Sequence, residues 1–186
     1  MAEALAGLFG SIDNLLAHLG SWLVQADVGL GMLLLVGLSM SLSHVFALLA
    51  NRLNARQLLW HVLLDGLVLS LAFVVNCFID MLLLSLYASK TVHPSVFLNG
   101  TAVCLLPVLF YFFVAAPYVG DLIALAIWLM VHLNVITLLH ARFGLPYAEA
   151  LLLSTPGFLL ALWLIWIEFR QSWRQSYSKL ASELDS

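Results

Sequence analysis

Two aspartates stand inside one long apolar run. Residues 62–80 read VLLDGLVLSLAFVVNCFID, which sets Asp65 and Asp80 among leucines, valines and phenylalanines, with His61 and Asn76 close by. An Asp at a membrane-helix centre costs about 2.5–3.5 kcal/mol on insertion scales. Such a group persists where it is paired, protonated or used. At about 100° per residue His61, Asp65, Asn76 and Asp80 fall within roughly a third of a turn of one another. One stripe, rather than scatter, predicts a face turned away from lipid. Polar groups so placed carry protons or small cations, or hold helices together by hydrogen bonds.

Depth ranks these residues. Counted from Arg56 at 1.5 Å per residue, Asp65 is expected about 13 Å inside the membrane. Asp80 is expected about 36 Å along, close to the far surface and in reach of water. Asp65 is then the residue that needs a partner. His61 stands one turn away, and His44 shares its depth across the short loop NRLNAR. His44, His61, Asp65, Asn76 and Asp80 form the candidate intramembrane polar cluster. It reads either as a proton or cation relay, or as a packing cluster with Asp65 protonated. His132, on one helical face with Asp121 and Trp128, is a candidate tetrapyrrole ligand through a ring nitrogen. The alternative for His132 is a buried, hydrogen-bonded ring. The spacings CxxCH, HExxH and HxxxH do not occur, nor do G-x-S-x-G or a P-loop. The expectation is a non-enzymatic chain with no catalytic residue, no metal and no cofactor. Cys77 and Cys104 read as small apolar packing residues.

The elements that must position these residues are membrane helices. Of 186 residues 63% are hydrophobic and only 9% charged, against about 25% charged in soluble domains. The mean hydropathy is +1.05. An all-α polytopic membrane protein follows. Spans of about 20 apolar residues are expected at 30–50, 58–87, 96–116, 122–140 and 148–169. Pro107 and the sequence STPG at 154–157 predict kinks in the third and fifth. The organisation is then an amphipathic segment at 1–29, a five-helix bundle at 30–169 and a short polar tail at 170–186, the tail read as a frayed helix.

In the amphipathic segment Leu5, Leu8, Phe9, Ile12, Leu15, Leu16, Leu19, Trp22 and Leu23 recur at helical spacing, with Glu3, Ser11, Asp13, Asn14 and His18 off the stripe. This predicts a helix lying in the interface. It has no Lys or Arg, so apolar burial must hold it, in lipid or against the bundle. The opening residues lack a basic n-region and do not read as a cleaved signal peptide. With five spans, Arg52, Arg56, Arg170, Arg174 and Lys179 share one side, and Lys90 and Arg142 the other. That asymmetry predicts an external amino terminus and a cytoplasmic carboxyl terminus. The net charge of -3 leaves no basic footprint for nucleic acid. The expected partners are the lipid bilayer and other membrane proteins.

One further signal is a resemblance. Trp128 lies in the fourth span, Gly144 and Leu145 in the loop after it, then Ala150 and Leu151, then Pro156 in the last span. This pattern resembles the last two helices of the Yip family, five-span Rab-interacting membrane proteins with bacterial relatives. The stretch NRLNARQLLWHVLL is similar to bacterial members, and the likeness covers residues 52–166. The Asp-Leu-Tyr-Gly-Pro motif and the long polar amino-terminal domain of eukaryotic members are missing. The resemblance implies a five-helix bundle without enzymatic chemistry that scaffolds or organises partners, in a bacterial inner membrane or a thylakoid. A small transporter or channel using the His/Asp cluster, and a pigment- or haem-associated subunit, are the competing readings.

Overall fold

The computed structural model describes residues 2–28, 31–43, 55–88, 91–116 and 118–184. Among them every regular element is helical. In chain order these are α1 (Ala2–Gln25), α2 (Gly31–Leu42), α3 (Ala55–Tyr87), α4 (Pro94–Cys104), a 3-10 segment (Leu106–Ala115), α5 (Gly120–Phe143) and α6 (Tyr147–Leu184).

Among the described residues three helices are long and apolar enough to cross a membrane: α3 over Arg56–Tyr87, α5 over Gly120–Phe143 and α6 over Tyr147–Glu168. Pro94–Cys104 and Leu106–Ala115 make a fourth if the pair, bent by 40°, is one span. Of the five expected spans, the described residues thus show three to four. The first expected span appears only as the twelve-residue α2, about 18 Å long at 1.5 Å per residue, and residues 44–50 lie outside the described residues. His44 lies there too. The α6 backbone stays helical across position 170 to Leu184.

The third expected span breaks for a local reason. Pro107 has no N–H, so its helical bond to Val103 cannot form. Val108 N–H then turns to the Leu105 carbonyl at 2.9 Å, tightening the helix to 3-10 geometry. The Cys104 carbonyl loses its usual donor. The Asn134 side-chain amide of α5 donates to it at 3.2 Å. One helix further, the Ser39 hydroxyl of α2 donates to the Leu109 carbonyl at 2.8 Å. In an apolar medium each such bond removes an unsatisfied backbone group.

Small residues decide the closest helix pairs. A Cβ at Gly37 of α2 would run into the Gly66 carbonyl of α3, and the nearby Ser70 hydroxyl lies 2.9 Å from the Leu33 carbonyl. Close backbone approach of this kind is how helices associate where hydrophobicity gives no contrast. One core collects Val36, Met40, Leu69, Phe73, Val108 and Val131, and a second collects Leu23, Cys77, Leu84, Phe97, Cys104 and Leu139. Trp128 joins the first through Phe73, Tyr111 and Phe158, with ring centroids 6.1, 5.9 and 6.2 Å away.

The amphipathic segment is one helix, and its second half docks on α5. Leu23 is buried, and a Cβ at Gly20 would come 2.9 Å from Ala141 Cβ. Leu16 and Leu19 are half-buried, whereas Ile12, Leu15 and Trp22 stay exposed. The apolar stripe is therefore divided, one edge packing on the bundle and the other left open. Single cysteines introduced at Ser11, Asn14 and His18, with Cys77 and Cys104 replaced by serine, should react with a water-soluble thiol reagent. Cysteines at Leu19 and Leu23 should resist it. Protection at all five positions would rule out this half-docked arrangement.

Candidate functional site: a buried carboxamide–carboxylate pair

Asp80 is 1% exposed and Asn76 4% exposed. They stand one turn apart on α3, a spacing that brings side chains together on one helix face. They face α6 at Gly157. A Cβ there would run into Asp80 Oδ1, and would stand 2.5 Å from Asn76 Oδ1 and 3.1 Å from the Asn76 carbonyl oxygen. Only a residue without a side chain lets α6 come this close. The two side-chain oxygens thus converge on one point of the α6 backbone. Asp80 Oδ1, Asp80 Oδ2 and Asn76 Oδ1 are all buried without a hydrogen-bond donor among the described residues. Cys77 and Cys104 lie within electrostatic range of Asp80, and both thiols are free and buried.

The depth of Asp80 is the opposite of the expected one. Gly157 lies about 15 Å from Tyr147, the start of α6. The apolar stretch Tyr147–Glu168 of 22 residues is about 33 Å long. Asp80, packed on Gly157, is therefore level with the middle of the α6 apolar stretch, and the expected contact with water is not made. The reason is the length of α3. Its 32-residue apolar stretch is about 48 Å long, against a hydrocarbon core of about 30 Å. Arg56 does not mark the membrane edge, and the first turns of α3 run past the end of the α6 apolar stretch.

The same shift moves Asp65 outward. Asp65 is half-buried and lies within electrostatic range of His61 and of Glu168, at the other end of the α6 apolar stretch. His61 is exposed. Pairing Asp80 with Gly157 and Asp65 with Glu168 runs α3 and α6 antiparallel. The expected cluster therefore separates into two sites: a central one at Asn76 and Asp80, and a peripheral one at His61 and Asp65.

His132 sits apart from both. Its ring stacks on Phe158 with centroids 4.3 Å apart. Its Nε2 lies 3.4 Å from the Thr155 hydroxyl, and its Nδ1 is buried without a partner. Among the described residues no group of three or more His, Cys, Asp or Glu is placed to hold a metal ion.

Two residue sets escaped the sequence reading. One is the α6 face at the site: Ala150, Ser154, Gly157 and Ala161 are all buried. They recur at helical spacing, so a ridge of small residues was legible as a signal for close packing. The other is Asn134, whose role depends on a break in a different helix.

The residues of the Yip resemblance have structural duties here. Gly144 ends α5 in the left-handed region with φ 67, Leu145 and Ala150 are buried, and Pro156 lies inside α6. Comparison with protein-family models, with curated proteins and with solved structures finds no match for this chain.

The contact at Gly157 generates a direct test. Gly157→Ala should destabilise the bundle by about 1–3 kcal/mol, as overpacking does. In an Asp80→Ala background the same substitution should cost less, because one of the two colliding side-chain oxygens is gone while that of Asn76 remains. Thermal unfolding in detergent of the four combinations measures this. Strict additivity would mean that Gly157 and Asp80 do not meet.

Proposed function

We propose that this chain is a five-span integral membrane protein that takes up and releases a proton at Asp80, as a small proton-coupled carrier. The observation that carries the reading is the trio of buried oxygens on Asp80 and Asn76 with no hydrogen-bond donor among the described residues. A hydrogen-bonded packing cluster would have matched each acceptor with a donor, since half-satisfied networks cost more than apolar ones. A carboxylate here would be an uncompensated charge, and such groups neutralise by binding a proton. The protonated Asp80 donates to Asn76 Oδ1, which accounts for two of the three oxygens with one hydrogen. Release requires α6 to lift from α3. Pro156 supplies a weak point beside Gly157, because it removes one backbone bond from α6.

The described part of this proposal consists of α3, the bent pair α4 with the 3-10 segment, α5 and α6; the fifth span is the one expected at 30–50, of which α2 is the described part. A bacterial inner membrane or a thylakoid suits the short loops. A second reading has one observation of its own. The tight closure of Gly157 over the pair suits a static bundle that organises partner proteins, as the Yip resemblance implies.

Asp80→Asn separates the two readings. It keeps the hydrogen-bonding shape and removes the ionisable group. The carrier reading expects a folded protein whose proton uptake in liposomes, read with an internal pH dye, falls to the level of empty liposomes. Asp65→Asn, at the periphery, should leave uptake within about twofold of the parent, a difference under 0.5 kcal/mol. A folded Asp80→Asn with undiminished uptake would rule out the carrier and leave the scaffold.

Orientation follows from the charge bias of the loops. A reporter fused after Ser186 should be active only as a cytoplasmic fusion. Activity from the outer face would reverse the assignment.

A further inference from the structure

A polar cleft of about 320 Å³ opens at the end of the bundle where α5 stops and α4 begins. Gln25, Ala26 and Asp27 form one wall, Ser95 and Asn99 a second, and Arg142 closes it. The walls are fixed to each other. Asn99 accepts from the Val28 N–H at 3.2 Å and donates to the Ala26 carbonyl at 3.3 Å, which pins the α1–α2 connection to α4. Arg142 lies in the last turn of α5, where a cation is favoured by the helix dipole. Its Nη1 packs toward α4, 3.8 Å from where a Gly100 Cβ would stand.

The charges in this cleft are opposite but separate. Arg142 and Asp27 both line it. Among the described residues neither side chain has a hydrogen-bond or ion-pair partner. A guanidinium and a carboxylate sharing one small cleft without pairing fit a ligand that carries both charges. The cleft stands at the end of the candidate spans α5 and α6, the level at which phospholipid headgroups lie.

We propose that this cleft binds the headgroup of a zwitterionic phospholipid bearing a primary ammonium. The phosphodiester takes the guanidinium of Arg142, which suits planar, forked donation to phosphate. The ammonium donates to the Asp27 carboxylate, and Asn99, Gln25 and Ser95 supply neutral hydrogen bonds. A choline headgroup lacks the N–H groups that Asp27 accepts. A glycerol headgroup lacks the cation altogether. This site is independent of Asp80, and the assignment does not rest on the carrier reading.

The test is retention of lipid by the full chain. Protein reconstituted with equal phosphatidylethanolamine, phosphatidylcholine and phosphatidylglycerol is released into mild detergent, and bound lipid is read by native mass spectrometry. Phosphatidylethanolamine should be retained preferentially. Arg142→Gln should lower that retention about tenfold, as loss of a charged hydrogen bond implies. Asp27→Asn should lower retention of phosphatidylethanolamine and leave that of phosphatidylglycerol unchanged. Where Arg142→Gln fails to fold, Arg142→Lys and Asp27→Asn carry the test, with lysine keeping the phosphate contact. Equal retention of the three lipids overturns the proposal. So does preference for phosphatidylglycerol, which marks a site for anions alone, or unchanged phosphatidylethanolamine retention in Asp27→Asn.

Discussion

Asp80 and Asn76 place three buried acceptor oxygens midway along the α6 apolar stretch, without a hydrogen-bond donor among the described residues, and the packing of α3 on α6 is built around that fact. Gly157 is the residue that makes the arrangement possible. It lets the α6 backbone close over the pair, and the small residues Ala150, Ser154 and Ala161 keep the same face low on either side. A larger residue at 157 would hold the helices apart and open the pair to lipid, which offers no hydrogen bonds. Under the proposed reading, proton binding at this place would couple to the distance between two helices.

The same constraint explains the middle of the molecule. Backbone groups freed at Pro107 cannot turn to water, so they turn to side chains on other helices. Asn134 satisfies the Cys104 carbonyl and Ser39 satisfies that of Leu109. A bent and locally tightened helix is thereby tied to α5 on one side and α2 on the other. Trp128, ringed by Phe73, Tyr111 and Phe158, fills the space beside the bend. Aromatic packing and polar satisfaction cooperate here, since the bend would leave a gap without the indole and an orphan carbonyl without the amide.

At the bundle ends the balance changes. The Asp65 and Glu168 carboxylates lie at one end of the α6 apolar stretch, and Arg142 and Asp27 lie at the other end of the bundle. Charges near headgroup depth keep most of their hydration, so they need no buried partners and remain available to ligands. In the interior, by contrast, Asp80 and Asn76 are buried and their side-chain oxygens have no donor among the described residues.

The all-helical membrane character was legible in the composition, because only an apolar, charge-poor chain is soluble in hydrocarbon and only self-satisfied helices are stable there. The periodicity that set Asp65, Asn76 and Asp80 on one stripe was legible for the same reason, since helix geometry is local. The left-handed stop at Gly144 and the break at Pro107 also follow from single residues. Depth was not legible. It was counted along α3 from Arg56, but a helix longer than the membrane has no fixed register with it, and the level of Asp80 is set by its contact with Gly157 on another helix. Which oxygens lack donors, which amide repairs the Cys104 carbonyl, and which charges share a cleft are likewise relations between distant segments. The sequence alone determined what each helix could bury; the tertiary structure decided what it buries it against, because hydrogen-bond satisfaction in an apolar medium is a property of neighbouring helices and not of the chain that supplies the residue.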